Sequence, residues 1–225
     1  MKNKKADENG KKSAVLTLTG AAIMILLTAT KVMPSSKLAG YSVFVGIAFF
    51  FAVEAVAKTP RSESGLRFST VFADLKKPGV TAWLLLPILS GAAASAVGYL
   101  IFGGEFEAHV IGRAGEMLSF DKTALLIVQL IVAAFGEEIA YRGFFLGKGM
   151  KLLPFWACAA ASSAVFAAGH IAEGSIGVVL FDVACVFIDS MIFSEVYRRS
   201  GNCVVSTLSH IVANAFSLAV AAVFF

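Results

Sequence analysis

The segment that decides the class of fold reads LIVAAFGEEIAYRGFF and covers residues 130–145. The apolar run begins at about residue 123, so only about 14 of its residues precede Glu137, whereas a helix needs roughly 20 residues to cross the hydrocarbon core of a bilayer. A spanning helix must therefore continue through Phe145 and carry Glu137 and Glu138 into the membrane. The segment predicts a transmembrane helix over 123–149 with two buried carboxylates.

The composition of the whole chain is that of a membrane protein. Of the 225 residues, 58% are hydrophobic and 15% are charged, and the mean hydropathy is +0.80. Soluble domains carry about 25% charged residues. Apolar runs of spanning length predict seven helices, at about 13–30, 38–57, 79–102, 123–149, 154–172, 175–196 and 202–225. The expected fold class is all-α, a polytopic transmembrane helix bundle of about seven spans.

Basic residues between these runs predict the orientation. Five lysines lie in the tail at 1–12, five Lys or Arg residues at 58–77, and two further pairs at 148–151 and 198–199. Because cytoplasmic loops are rich in Lys and Arg, the N-terminus is expected in the cytoplasm, and the loop at 103–122, acidic on balance, outside. The compact length and lysine-rich start are typical of an integral protein of a prokaryotic plasma membrane. No basic stripe interleaved with aromatic residues is present, so no nucleic-acid partner is expected.

Helical geometry separates the charged residues of the 123–149 segment. Glu138 and Arg142 are four residues apart on one helix face and are expected to pair, whereas Glu137 points about 100° away and has no local counter-charge. A charge near the centre of a membrane helix costs at least about 2.5 kcal/mol. One reason to keep such charges is a structural ion network between helices. The other is catalysis, because an unpaired carboxylate in a low-dielectric site suits proton transfer near neutral pH.

Two further helices carry histidine inside apolar sequence. The 154–172 segment contains ASSAVFAAGH, which places Phe166 one turn before His170. In the last span, His210 and Asn214 are four residues apart and share a face. Counted from the cytoplasmic helix ends, His170 lies several residues deeper than His210. A lone buried histidine is more often a core residue, but two histidines, an asparagine and an unpaired glutamate can together hold and activate a water molecule and stabilise an oxyanion.

The chain carries, each on its own predicted span, the motifs Glu137-Glu138-x-x-x-Arg142, Phe166-x-x-x-His170 and His210-x-x-x-Asn214. Their order and spacing resemble the three motifs of the CAAX-protease and bacteriocin-processing (CPBP or ABI) family of intramembrane endopeptidases. The resemblance covers about residues 122–216, and larger members of that family have eight spans. Charge and hydropathy predict a cytoplasmic basic tail at 1–12 and N-terminal membrane helices and loops at 13–121, and the resemblance implies a catalytic core at 122–225.

The resemblance also implies a role for each motif residue. Glu137 and His170 would bind and activate the attacking water, and His210 and Asn214 would stabilise the tetrahedral oxyanion. Family members are usually described as metalloproteases, and a Glu with two His can form a three-ligand zinc site with an open position. A Glu–His pair can also activate water without a metal. The zinc ligands, where zinc is used, would be Glu137, His170 and His210.

The remaining motif residues would support this site. Glu138 would assist the reaction or the site's structure, Arg142 would hold Glu138 in place, and Phe166 would pack beside the catalytic groups. The implied activity is that of an intramembrane endopeptidase, a hydrolase that cleaves peptide bonds of membrane-associated or lipid-modified peptides. Its partners would be membrane lipid and a peptide or lipidated-protein substrate, and its site is expected to open toward the cytoplasmic half of the bilayer or laterally to lipid.

Two other functional classes stay open at this stage. A transporter or channel also uses buried Glu, Asp and His residues as ion sites or proton relays, although the sequence shows no inverted repeat. A bacteriocin-immunity protein would keep the fold and act by binding. Proteins of both classes would also have apolar membrane-spanning helices, but their function would not require Glu137 to catalyse a reaction.

Other ionisable residues are assigned structural places. Asp182 and Asp189 are seven residues apart in one predicted span and are expected to be polar contacts within the bundle, lining the same cavity or pairing with Arg142. Glu54 lies near a cytoplasmic helix end and is expected to reach water. His109, in the 103–122 loop, is expected to be solvated.

Overall fold

The computed structural model describes residues 2–33, 38–115 and 118–224, with side chains from residue 7 to residue 220 of those ranges. The described residues form no strand, and 3-10 turns at Thr30–Val32 and Leu38–Gly40 lie between the first two helices. The nine helices of these residues are α1 (Lys2–Ala29), α2 (Tyr41–Ala57), α3 (Val71–Leu75), α4 (Val80–Phe102), α5 (Glu105–Gly115), α6 (Thr123–Gly149), α7 (Phe155–Ala168), α8 (Ile176–Ser200) and α9 (Cys203–Phe224). The predicted all-α helix bundle is confirmed.

Six helices in the described part of the chain are long and apolar enough to cross a membrane: α1, α2, α4, α6, α8 and α9. The structure differs from the sequence prediction at the 154–172 segment, where α7 has only 14 residues. At 1.5 Å per residue it is about 21 Å long, whereas the hydrocarbon core is about 30 Å thick. Pro154 immediately before the helix and Gly169 immediately after it set these bounds.

The helices define two ends of the bundle. One end, called here the basic end, holds the start of α1 and the segments 58–79, 148–154 and 198–202. Contacts tie these segments together: Lys77 Nζ donates to the Ser200 carbonyl at 2.6 Å. Fourteen of the nineteen Lys and Arg residues lie in these parts of the sequence. The opposite end holds the two 3-10 turns Thr30–Val32 and Leu38–Gly40, α5 and the residues around 169–175.

A π-helical segment, Glu138–Leu146, interrupts α6. All nine of its residues are buried. Segments of π-helix are rare and occur frequently at functional sites. The Glu-Glu-x-x-x-Arg motif therefore lies where α6 departs from regular α-helical geometry, a feature that the sequence did not indicate.

Helices α2 and α6 approach each other closely at Gly46. A Cβ atom at this position would lie 2.6 Å from Ala140 Cβ and 2.8 Å from Ala140 Cα. Only glycine leaves room for so close an approach of two membrane helices. Gly143 has a similar place, because a Cβ there would lie 2.8 Å from Cys203 Sγ. These contacts fix the π-helical segment between α2 and α9.

Asp74 of α3 anchors the 58–79 segment to the turn between α8 and α9. Its Oδ1 is 2.7 Å from Lys77 Nζ, and its Oδ2 accepts hydrogen bonds from Thr70 Oγ1 at 2.7 Å and Asn202 Nδ2 at 2.9 Å. Burial by itself would raise the pKa of Asp74, but the hydrogen bonds from Lys77, Asn202 and Thr70 outweigh it and lower the pKa from 3.8 to about 2. The folded protein therefore holds this carboxylate ionised more strongly than the unfolded chain does.

The Asp74 contacts predict a loss of stability in acid. Because the pKa of Asp74 is lower in the folded state, its contribution is fully present above about pH 4 and is lost as the pH falls toward 2. We expect Asp74→Asn to lower the free energy of unfolding at pH 7 by on the order of 1 kcal/mol and by less at pH 2.5. Unfolding in detergent at the two pH values measures this difference. A loss that is equal at both pH values would contradict the assignment.

Candidate active site

Five of the predicted site residues line the same cavity, which has a volume of about 260 Å³. They are Glu137, Phe166, His170, His210 and Asn214. These side chains come from four different elements: α6, α7, the turn that follows α7, and α9. Glu138 and Arg142 do not line the cavity and have no exposed side-chain surface. The structure therefore separates the two adjacent glutamates as the helical geometry predicts, one facing the cavity and the other facing the protein interior.

His210 lies between the two adjacent carboxylates. Its Nδ1 is 3.2 Å from Glu138 Oε1, and its Nε2 is 3.6 Å from Glu137 Oε2. The ring stacks on Phe193 with the centroids 4.7 Å apart. Because Glu138 occupies Nδ1, the nitrogen left to face the cavity is Nε2, on the side of Glu137. The stacked ring and the Nδ1 contact together fix the orientation of the imidazole.

Arg142 forms the predicted ion pair with Glu138. Its Nη1 is 2.9 Å from Glu138 Oε1, and both side chains are fully buried. The guanidinium also lies over the rings of Phe166 and Phe193, 4.8 and 5.2 Å from their centroids. A buried charge is tolerated when it is paired and hydrogen-bonded. Arg142 thus neutralises Glu138 and packs against the aromatic wall beside His210.

Two serines that the sequence analysis did not single out complete the environment of Arg142. Nη2 donates to Ser190 Oγ at 2.6 Å and to the Ser190 carbonyl at 2.9 Å. Ser190 Oγ donates in turn to Ser163 Oγ at 2.9 Å. Serine inside an apolar span was the only signal in the sequence, and it is too common in membrane helices to identify a specific contact. The chain of contacts joins α6, α8 and α7.

The ring of Phe166 contacts both histidines of the site. Its ring centroid is 4.6 Å from that of His170 and 5.8 Å from that of His210. Tyr141 packs edge-on against the same ring at 5.0 Å. Phe166 is 3% exposed, so its position is set by packing on every side. The ring keeps the two histidines at a fixed separation without a hydrogen bond between them.

His170 lies just beyond the end of α7. Its Nδ1 is 2.8 Å from the Phe166 carbonyl, which fixes Nδ1 as the protonated nitrogen of a neutral ring and leaves Nε2 as an acceptor. The sequence placed His170 several residues deeper than His210. The structure removes this mismatch, because α7 is short and His170 follows it in a turn, where its ring reaches the same Phe166 side chain as His210.

The arrangement does not fit a preformed zinc site with three protein ligands. Within the described residues, no three His, Cys, Asp or Glu side chains stand close enough together to hold a metal ion. Glu137 and His210 are near each other, but His170 does not complete a three-ligand group with them. The zinc prediction stays a prediction.

A second cluster of buried ionisable residues lies near the end opposite to the basic end. Its contacts differ from those predicted for Asp182 and His109. Asp182 Oδ2 is 2.8 Å from Arg113 Nε and 3.3 Å from His109 Nε2. The prediction that His109 is solvated is wrong, because its side chain is only 4% exposed. Asp182 pairs with Arg113 and not with Arg142. The sequence did not show this because Arg113 lies in α5, which was read as part of a loop.

Glu54 is held by a lysine instead of reaching freely into water. Its Oε1 is 2.7 Å from Lys148 Nζ, and its Oε2 accepts a hydrogen bond from Ser64 Oγ at 2.8 Å. The Glu54 side chain is 16% exposed. This ion pair joins α2 to α6 at the basic end, away from the cavity that Glu137 lines.

The cavity opens at the end of the bundle that lies away from the basic end. Besides the motif residues, it is lined by Lys31 and Gly40 from the segment between α1 and α2, by Arg113 of α5, and by Phe120. The motif positions predicted an opening toward the cytoplasmic half of the bilayer, on the side of Arg142, or laterally to lipid. Arg142 is fully buried, and the lining residues come from the end opposite to the basic end. The face of the membrane at which the cavity opens stays a prediction.

Fold and site together define a polytopic membrane protein with a carboxylate–histidine cavity inside its helix bundle. Residues 119–216 match the family model described as type II CAAX prenyl endopeptidase Rce1-like. This part of the chain is similar to that family of proteases, and the resemblance drawn from the three motifs is confirmed. Neither a curated protein nor a solved structure matches the chain. The matched region contains every residue of the candidate site.

Proposed function

We propose that this protein is an intramembrane endopeptidase that hydrolyses peptide bonds of membrane-associated or lipid-modified peptides. The observation that carries the proposal is the single cavity lined by Glu137, His170, His210 and Asn214 within the part of the chain that matches the Rce1-like family. The test is cleavage of membrane-anchored reporter peptides by the purified protein, compared with a Glu137→Gln variant.

In the proposed reaction, a water molecule is held between Glu137 and Nε2 of His170. Glu137 takes a proton from this water as its oxygen attacks the carbonyl carbon of the scissile bond. The carbonyl oxygen becomes an oxyanion, which accepts hydrogen bonds from Nε2–H of His210 and from the side-chain amide of Asn214. The proton held by Glu137 then passes to the leaving nitrogen as the C–N bond breaks. The products are a carboxylic acid and an amine, which become a carboxylate and an ammonium group when the acid's proton passes to the amine.

The support for His210 as an oxyanion donor is its position between two carboxylates. With both ring nitrogens protonated, it donates through Nδ1 to Glu138 and keeps Nε2–H for the substrate.

The position of the cavity bears on which substrates reach it. Basic segments mark the cytoplasmic side of membrane proteins, and the cavity opens at the end opposite to the basic end. We therefore propose that the substrate enters from the non-cytoplasmic side or from the outer leaflet. Its chemistry would be that of a peptide already exported or held by a lipid on that face.

This orientation predicts the glycine positions at which an introduced cysteine can be labelled from outside the cell. Gly40 lines the mouth of the cavity and Gly10 lies at the basic end; both are exposed, and a Cβ at either position meets nothing within 4 Å. We expect a membrane-impermeant maleimide to label Gly40→Cys on intact cells and to label Gly10→Cys only after permeabilisation. The parent chain, with its cysteines at positions 158, 185 and 203, is the background control. The reverse pattern would place the cavity in the cytoplasm and leave the hydrolytic proposal standing.

A further inference from the structure

A second cavity, of about 600 Å³, lies at the basic end between the first turns of α1 and the ends of α2 and α6. Three lysines line it, namely Lys58, Lys148 and Lys151. The other walls are formed by apolar side chains, among them Val53 and Leu152, and by the polar side chains of Asn9, Ser13 and Thr17. The cavity thus combines a cationic rim with a partly apolar interior.

Two of the three lysines keep their charge uncompensated. Lys148 Nζ is 2.7 Å from Glu54 Oε1 and lies over the Phe50 ring at 4.6 Å, so its charge is paired and its position fixed. Lys58 and Lys151 are exposed and form no ion pair with a carboxylate among the described side chains. The cavity therefore has a net positive charge.

The nearby carboxylates of α1 do not supply this missing charge. Asp7 is 2.9 Å from Lys11 Nζ, and Glu8 is 2.7 Å from Lys12 Nζ, each pair within one turn of the same helix. These acidic groups are neutralised locally. An anion from outside the protein is the remaining partner for the cationic rim.

The backbone at Lys58 is an independent sign that its side chain has a role. Lys58 has a φ of 54°, and it is the one residue other than glycine with a positive φ in the described ranges. This position ends α2 in the left-handed conformation, which glycine adopts without steric cost and which L-residues disfavour. The chain keeps a lysine where the backbone alone would favour glycine.

A hydroxyl group inside the cavity also lacks a partner. Ser13 lines the cavity, and its Oγ is buried with no hydrogen-bond partner in the described structure. Buried hydroxyl groups are normally hydrogen-bonded. A phosphate oxygen would accept a hydrogen bond from Ser13 and charge-assisted hydrogen bonds from the lysines.

We propose that this cavity binds the phosphate-bearing headgroup of an anionic phospholipid, with Lys58 and Lys151 as its charged contacts. The phosphate would lie at the cationic rim, near Ser13, and the glycerol and acyl carbons would follow Val53 and Leu152 into the bilayer. Basic pockets between helices on the cytoplasmic side are sites for anionic headgroups. The lipid would join the end of α1 to the ends of α2 and α6.

The experiment uses the full chain purified in detergent and titrated with phosphatidylglycerol, with bound lipid counted by native mass spectrometry. We expect Lys58→Gln combined with Lys151→Gln to raise the half-saturating lipid concentration by roughly tenfold or more. Phosphatidylcholine should bind more weakly and respond little to the variant. The matched control is Arg61→Gln combined with Lys76→Gln, which removes two exposed charges from the same end but outside the cavity, and which should bind phosphatidylglycerol like the parent.

A single substitution separates lipid binding from folding. Lys58→Gly relieves the left-handed backbone, so the variant should be at least as stable as the parent and yet bind phosphatidylglycerol several-fold more weakly. Unchanged binding in Lys58→Gly and in the double variant would overturn the proposal. An equal loss in the Arg61 and Lys76 control would also overturn it, because the effect would then come from net charge. If soluble glycerol phosphate displaces phosphatidylglycerol when both are at the same concentration, the cavity is a site for a free phosphate and not for a lipid.

Discussion

Replacement of Glu137 by glutamine is expected to lower the rate of peptide cleavage by at least about a hundredfold while the protein stays folded. The glutamine side chain has nearly the same shape but cannot take a proton from water, and a positioned general base contributes roughly 10²–10⁴ in rate. Glu137 is the carboxylate that faces the cavity and lies 3.6 Å from Nε2 of His210. The measurement is the initial rate of cleavage of prenylated and acylated reporter peptides by detergent-purified protein.

The matched control is Glu105→Gln, the same chemical change at an exposed position of α5. It should cleave at the parent rate. A zinc chelator, followed by added zinc, separates the two modes of water activation: a fall and recovery of the parent rate indicates a metal, and an unchanged rate indicates the Glu–His pair. Cleavage by Glu137→Gln at the parent rate would remove Glu137 from the reaction, and a folded parent that cuts no peptide would favour transport or binding.

Replacement of Arg142 by methionine should cost about 3–5 kcal/mol of folding free energy, the range for breaking a fully buried ion pair by removing one partner. The substitution leaves Glu138 with no exposed surface and without its guanidinium partner. It also removes the hydrogen bonds to Ser190 on α8. Denaturant titration of the purified protein in detergent, followed by tryptophan fluorescence or circular dichroism, measures the loss.

Two further variants show whether the cost comes from the orphaned carboxylate. Arg198→Met removes the same side chain from a partly exposed pair with Glu195 and should cost less than about 1 kcal/mol. Adding Glu138→Gln to Arg142→Met removes the uncompensated charge and should recover part of the loss. If Arg142→Met is no less stable than Arg198→Met, the ion pair is not what holds α6, α7 and α8 together around the site.

The membrane helices could be predicted because hydropathy and length are local properties of the sequence. The motif residues could be predicted because carboxylate and imidazole groups are costly inside apolar helices and therefore conspicuous. The ion pair between Glu138 and Arg142 depends on spacing within one helix, and it forms at 2.9 Å even in a π-helical segment. Each of these features depends only on residues that are close together in the sequence.

The features that the sequence missed depend on contacts between distant segments. The partner of Asp182 is Arg113, 69 residues earlier in the chain, and the partner of Arg142 on α8 is a serine that resembles many other serines in membrane helices. The short length of α7 and the end at which the cavity opens follow from how the helices stack. Hydropathy indicates whether a segment lies in lipid or in water, but it does not indicate which other segments that segment contacts.

The shortness of α7 has a consequence for the bilayer itself. One face of this helix is exposed and carries Trp156 near its start, followed by the small side chains of Ala157, Ala160, Ala161 and Ala164. A helix of about 21 Å in a hydrocarbon layer of about 30 Å leaves a hydrophobic mismatch of roughly 9 Å, which lipids accommodate by local thinning. The membrane should be thinnest beside His170, so the distance that a bilayer-embedded peptide must travel to meet water is shortest at that point.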